Sequence, residues 1–173
     1  MKSYDRANPE VYDRIAWLLD NIEYHEELKT VEVKVDCIFV ATDSEEGHAL
    51  TCNGVRALAV ARILNSKDRC MGRGDVEICI DRDAYEAMPD QQRYALLDHE
   101  LRHFEVCKEK DGGFATDDQH RPKLKTRQHD RQYGWFDCVA KRWGQESHEV
   151  RQMRGLWEKA EDVYFPFMAE EQV

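Results

Sequence analysis

His99, Glu100 and His103 are the residues of this chain whose types and spacing point most directly to chemistry: two imidazoles four positions apart, with a carboxylate beside the first. On an α-helix, residues four apart lie one above the other, so both rings can offer a nitrogen to the same ion. Glu100 is turned by about 100° from His99. That puts it beside the ion, where it can take a proton from a water that the metal activates. The arrangement predicts a zinc-dependent hydrolytic site with Glu100 as general base. All-imidazole ligation with an open position suits zinc, although ligand types alone do not separate zinc from iron, nickel or copper. A catalytic zinc normally has three protein ligands, so one more is required, and Asp117, Asp118, His120 and His129 are the candidates. His129 is preferred because it opens a helical pattern in which His129, Tyr133, Phe136, Ala140 and Trp143 share one stripe. His120, in a polar loop beside Arg121 and Pro122, is the substitute. Tyr133, one turn past His129, is a candidate donor to a developing oxyanion, with core packing as the competing role. Asp130 either orients a histidine or caps the helix. His25, His48 and His148 read as solvent-exposed.

These residues need elements to hold them. Tyr94, Leu97, Leu101 and Phe104 recur at helical spacing, predicting a helix from Pro89 to about residue 108 that packs on a core and turns its histidines to a cleft. Before it, Asn8 and Pro9 signal a helix start, and Val11, Ile15, Leu18, Leu19 and Ile22 carry it through about residue 27. Alternation in 31–40 and in 75–81, with Val76, Ile78 and Ile80 on one face, predicts strands; 57–64 reads as a third. Residues 108–128 form a long polar connection with a Gly112-Gly113 turn and no buried element of its own. After the stripe from His129 to Trp143, Val150, Met153, Trp157, Ala160 and Tyr164 predict a last helix over about 146–165. The expected class is α+β: an N-terminal helix, a small mixed or antiparallel sheet of three to four strands, the motif helix and two C-terminal helices, in one domain over 1–173.

Composition narrows the partners. A net charge of −10 argues against a surface built throughout for phosphate backbones, although residues 120–154 hold nine Lys or Arg against four acids. No apolar run is long enough to span a membrane and the N-terminus has no secretory pattern, so the expectation is a cytoplasmic protein. The six cysteines form no tight framework and read as reduced, mostly buried thiols; Cys52 and Cys70 lack partners at metal-finger spacing.

Two stretches carry a family resemblance. Leu96-Leu-Asp-His-Glu-Leu-Arg-His103 and Gln128-His-Asp-Arg-Gln-Tyr-Gly-Trp-Phe136 resemble the phage metallopeptidase family and, more broadly, the SprT-like minimal zincins, over about residues 10–145. The resemblance implies a zincin-like peptidase acting on protein or peptide in a host cytoplasm, with His99, His103 and His129 on zinc and the helix over about 146–165 appended. Asp98 and Arg102 depart from the uncharged residues such motifs usually carry. The rival expectation is a phage-encoded inhibitor or adaptor on the same scaffold without catalysis. A further one is that the basic segment 120–154 brings the enzyme to DNA-bound protein.

Overall fold

Asn8 and Pro9 begin the first helix as their types require. In this computed structural model, which describes residues 1–44, 48–52, 54–129, 137–147, 150–151 and 153–157, helix α1 spans Pro9–Asn21. The Asn8 side chain accepts a hydrogen bond from the Val11 N–H at 3.3 Å. Val11, Ile15 and Leu18 are its buried face. The helix stops short of the expected residue 27. Ile22 takes an extended conformation, and a 3-10 turn over Glu23–His25 leads into helix α2, Glu26–Thr30. The break has a packing cause: it turns His25 and Leu28 inward, to 1 % and 3 % exposure.

The sheet has order β1-β2-β6-β5, from strands β1 (Lys2–Arg6), β2 (Val35–Thr42), β5 (Ala59–Ile63) and β6 (Val76–Asp81); β3 (Thr51–Cys52) and β4 (Val55–Arg56) form a separate small ribbon. β2 runs parallel to β6, and β1 and β5 flank them antiparallel. Strand β6 is buried on both faces: Val76, Ile78 and Ile80 face the helices, and Glu77 on the other face meets the guanidinium groups of Arg62 and Arg73. β1 has no counterpart in the sequence reading, because all five of its residues are exposed and no alternation marks it.

Helices α3 (Ser66–Cys70) and α4 (Arg82–Ala87) are each started by a side-chain cap: Asn65 on the Asp68 N–H and Asp81 on the Ala84 N–H. Helix α5, Asp90–Arg102, follows Pro89 and carries the motif. It ends six residues before the expected position, and the chain goes straight into β7 (Phe104–Val106), which pairs antiparallel with β8 (Leu124–Thr126). The connection 108–128 is therefore ordered: Lys108 bridges Phe114, Thr116 bridges Pro122, and Ala115 is buried. Backbone hydrogen bonds such as Ala115 N–H to the Cys107 carbonyl and Lys123 N–H to the Ala115 carbonyl hold it together, and these have no signature in the polar side chains.

The core joins α1, the sheet and α5 through Val11, Ile15, Cys37, Ile78, Ile80, Leu97 and Leu101. At its rim Trp17 meets Tyr94 edge-on at 5.2 Å, and Arg14 pairs with Asp90 at 2.6 Å. The thiols differ from expectation: Cys37 is buried, Cys79 and Cys107 are partly so, and Cys52, Cys70 and Cys138 are exposed.

Residues 1–128 and 129–173 are two compact units. In the second, helix α6 spans Asp137–Trp143, a 3-10 turn follows over Gly144–Glu146, and Ser147 caps a helical stretch by accepting the Val150 N–H at 3.2 Å. Residues 150–151 and 153–157 are helical, which agrees with part of the expected 146–165 helix; the rest of that expectation lies outside the described residues.

Candidate metal centre

Helix α5 is gripped on three sides. Leu97 and Leu101, both fully buried, fix the face opposite the histidines. On one flank Glu100 is 5 % exposed, and its carboxylate accepts the backbone N–H of Ala61 in the edge strand β5. Burial pushes this carboxyl above its ordinary range, while nearby His103 and the Ala61 N–H pull it back.

The other flank explains the two unexpected charges. His25 Nε2 donates to Asp98 Oδ1 at 2.6 Å. Arg102 lies over the Tyr24 ring, 4.5 Å from its centroid, and donates to the Tyr24 carbonyl at 3.4 Å. Both charges hold the Glu23–His25 turn against the motif helix. The expectation that His25 is solvent-exposed is thus corrected: its partner stands 73 residues away, beyond the reach of local pattern.

His103 is the C-cap residue of α5 yet keeps a right-handed helical conformation, at φ −70° and ψ −12°. The four-residue stacking with His99 therefore survives, with ring centroids 5.1 Å apart and planes at 82°. His103 Nδ1 lies 2.9 Å from the Arg127 carbonyl oxygen. A carbonyl only accepts, so the proton is assigned to Nδ1, and Nε2 keeps a lone pair for an ion. The Arg127 N–H in turn donates to the His103 carbonyl at 2.8 Å. His129 follows two residues later. One ring nitrogen from each of His99, His103 and His129 lies within 4.8 Å of the others. The cluster can hold a metal.

Among the other candidates, His120 is exposed at φ 59° in a turn where Asp117 N–H donates to the Arg121 carbonyl, and it is not part of the cluster. Asp117 accepts from Arg69 at 3.2 Å, and Asp118 is exposed. Asp130 and Tyr133 lie outside the described residues. Of the basic residues in 120–154, Arg121 pairs with Asp75 and Lys125 with Glu105, so part of that charge is used internally. The Ala61 N–H and the Arg127 carbonyl were absent from the sequence reading, since a backbone group has no residue signature.

No helix among the described residues is long and apolar enough to cross a membrane. Comparison with curated proteins and with solved structures finds no match. A family model described as "Putative phage metallopeptidase" matches residues 3–160. Both motif stretches and every residue of the three-histidine cluster fall inside that match, and the chain belongs to this phage metallopeptidase family.

Proposed function

We propose that this protein is a zinc-dependent metallopeptidase of zincin type, acting on protein or peptide in the cytoplasm of a host cell. The observation that carries the reading is the convergence of three imidazoles with a buried carboxylate on the adjoining helix flank. His99, His103 and His129 are the ligands. An ion held there supplies Lewis acidity, activating a water and polarising a carbonyl. Glu100 takes the proton from the attacking water and later passes it to the leaving amine. Its hydrogen bond to Ala61 orients the carboxylate, and Leu97 and Leu101 keep the helix from rotating. Tyr133 is the proposed donor to the carbonyl oxygen in the transition state.

The test is metal content measured beside hydrolysis of an unfolded protein substrate. Wild type is expected to bind one zinc per chain and to cleave; Glu100→Gln is expected to keep the zinc and lose cleavage by at least about 100-fold; His103→Ala is expected to lose both. Failure of wild type to bind zinc would overturn the reading. Zinc bound tightly with no hydrolysis of any protein would favour a binding protein on the same scaffold.

A further inference from the structure

The turn over residues 117–121, in the connection between β7 and β8, is plugged into buried charge. Asp75, 1 % exposed, has Oδ1 at 2.8 Å from Arg121 Nη2 and 3.8 Å from Arg69 Nη1, while its Oδ2 accepts the Lys34 N–H at 2.9 Å. Arg69, 8 % exposed, also reaches Asp117 Oδ2 at 3.2 Å and donates to the Leu64 carbonyl. Arg121 donates to the carbonyls of Arg69 and Arg73, both at 3.3 Å. Inside the turn, Asp117 Oδ1 accepts the N–H groups of Gln119 and Arg121.

The strands that this turn connects are short, and their own alignment rests on buried Phe104 and Val106, on Leu124 packed against the core and on the Glu105–Lys125 pair. β7 and β8 are three residues each, and Lys125 and Thr126 of β8 are exposed. Yet their alignment decides where His129 stands. Phe104 faces Thr126, which sets Arg127 against His103 and brings His129 in two residues later. A slip of one residue shifts the strand by about 3.3 Å and inverts its faces, whereas ligand distances in a working site hold to about 0.2 Å. The ion cluster adds a hold on the register from outside the two strands: sliding β8 drags Arg121 off Asp75 and leaves charge buried without that partner, a strongly destabilising change.

We infer that Arg121, held by Asp75 and by the turn that Asp117 ties to Arg69, is a positioning residue for the third histidine: the buried ion cluster locks the β7–β8 register and thereby sets the affinity of the metal site. The inference rests on the three-histidine reading above.

The test is zinc affinity by competition with a chromophoric chelator, on the full chain, for wild type, Arg121→Ala, His129→Ala and the double variant, with circular dichroism on each. Arg121→Ala is expected to keep its fold and bind zinc at least about tenfold more weakly. On the His129→Ala background the same change is expected to cost clearly less than in wild type, because only the register's hold on His103 through the Arg127 carbonyl remains to be lost. Unchanged affinity for Arg121→Ala, or an equal loss on both backgrounds, overturns the inference and leaves the metal site standing. Should Arg121→Ala not fold, Arg121→Lys keeps the charge on Asp75 but loses the fork that reaches two carbonyls; it is expected to lie between, and wild-type affinity for it overturns the lock. Wild type that binds no zinc defeats the metal-site reading and the lock together.

Discussion

Replacing Asp98 by alanine tests whether the charged flank of the motif helix is structural. His25 is 1 % exposed, its Nε2 donates to Asp98 Oδ1 at 2.6 Å, and its Nδ1 has no hydrogen-bond partner among the described residues. Removing the carboxylate leaves a buried imidazole without its one hydrogen-bond partner among the described residues. An unsatisfied buried polar group costs about 1–3 kcal/mol. The Asp98 side chain is 44 % exposed, so water entering the vacated space recovers part of this, and the lower half of that range, about 1–2 kcal/mol, is expected. In a chain of this size that lowers Tm by about 2–8 °C. Urea denaturation of Asp98→Ala, His25→Phe and the pair forms a double-mutant cycle. Because removing both partners relieves the orphaned group, the double variant is expected to be less destabilised than the sum of the singles by at least about 1 kcal/mol. Additive losses, with a coupling below about 0.3 kcal/mol, would refute the claim that this pair clamps the Glu23–His25 turn to the helix.

Three other outcomes follow from features described above or adjoining them. A Cβ at Gly74 would sit 2.5 Å from the Lys34 carbonyl oxygen and 3.2 Å from the Asp36 nitrogen, so Gly74→Ala is expected to cost at least about 1–3 kcal/mol in urea melts; a neutral substitution would mean the backbone there yields freely. Burial pushes the Cys37 thiol up to about 12; iodoacetamide at neutral pH is expected to label Cys52, Cys70 and Cys138 in the native protein and Cys37 only after denaturation, as read by peptide mass mapping. The Asp117 carboxyl is held below its ordinary range, first by the Arg121 backbone N–H and further by the Gln119 N–H and the Arg69 guanidinium. A depressed folded value means stability that is complete above the unfolded pKa, about 3.9, and lost as pH falls through the folded value. Thermal melts should show the advantage of wild type over Asp117→Asn constant near neutrality and shrinking below about pH 3.9; an advantage that grows on acidification contradicts the assignment.

What could be read from sequence was what one element writes into itself. The α1 start at Asn8 and Pro9, the Val76, Ile78 and Ile80 face of β6 and the Leu97 and Leu101 stripe of α5 are periodic or local signals, and all three stand. His99, Glu100 and His103 were legible for the same reason. What escaped depends on distant partners. β1 is a strand because β2 offers it an edge; the end of α5 at Arg102 is set by β7 leaving to meet a strand twenty residues on; His25 is inside because Asp98 meets it there. The role of Asp98 and Arg102 was opaque too, since a charge near a predicted metal site reads as an anomaly until its partner is seen.

One consequence of the β7–β8 pairing concerns how such a centre is counted. The pairing of residues 104–106 with 124–126 sets the Arg127 carbonyl against His103, while the exposed bend over residues 109–113 lies outside that ladder. Lengthening that bend costs little, about 0.6 kcal/mol for each doubling of a flexible loop, and leaves the ladder between residues 104–106 and 124–126 as it was. The number of residues between His103 and His129 is then free to vary at that bend, so a search pattern with a fixed gap there asks for more than the pairing requires.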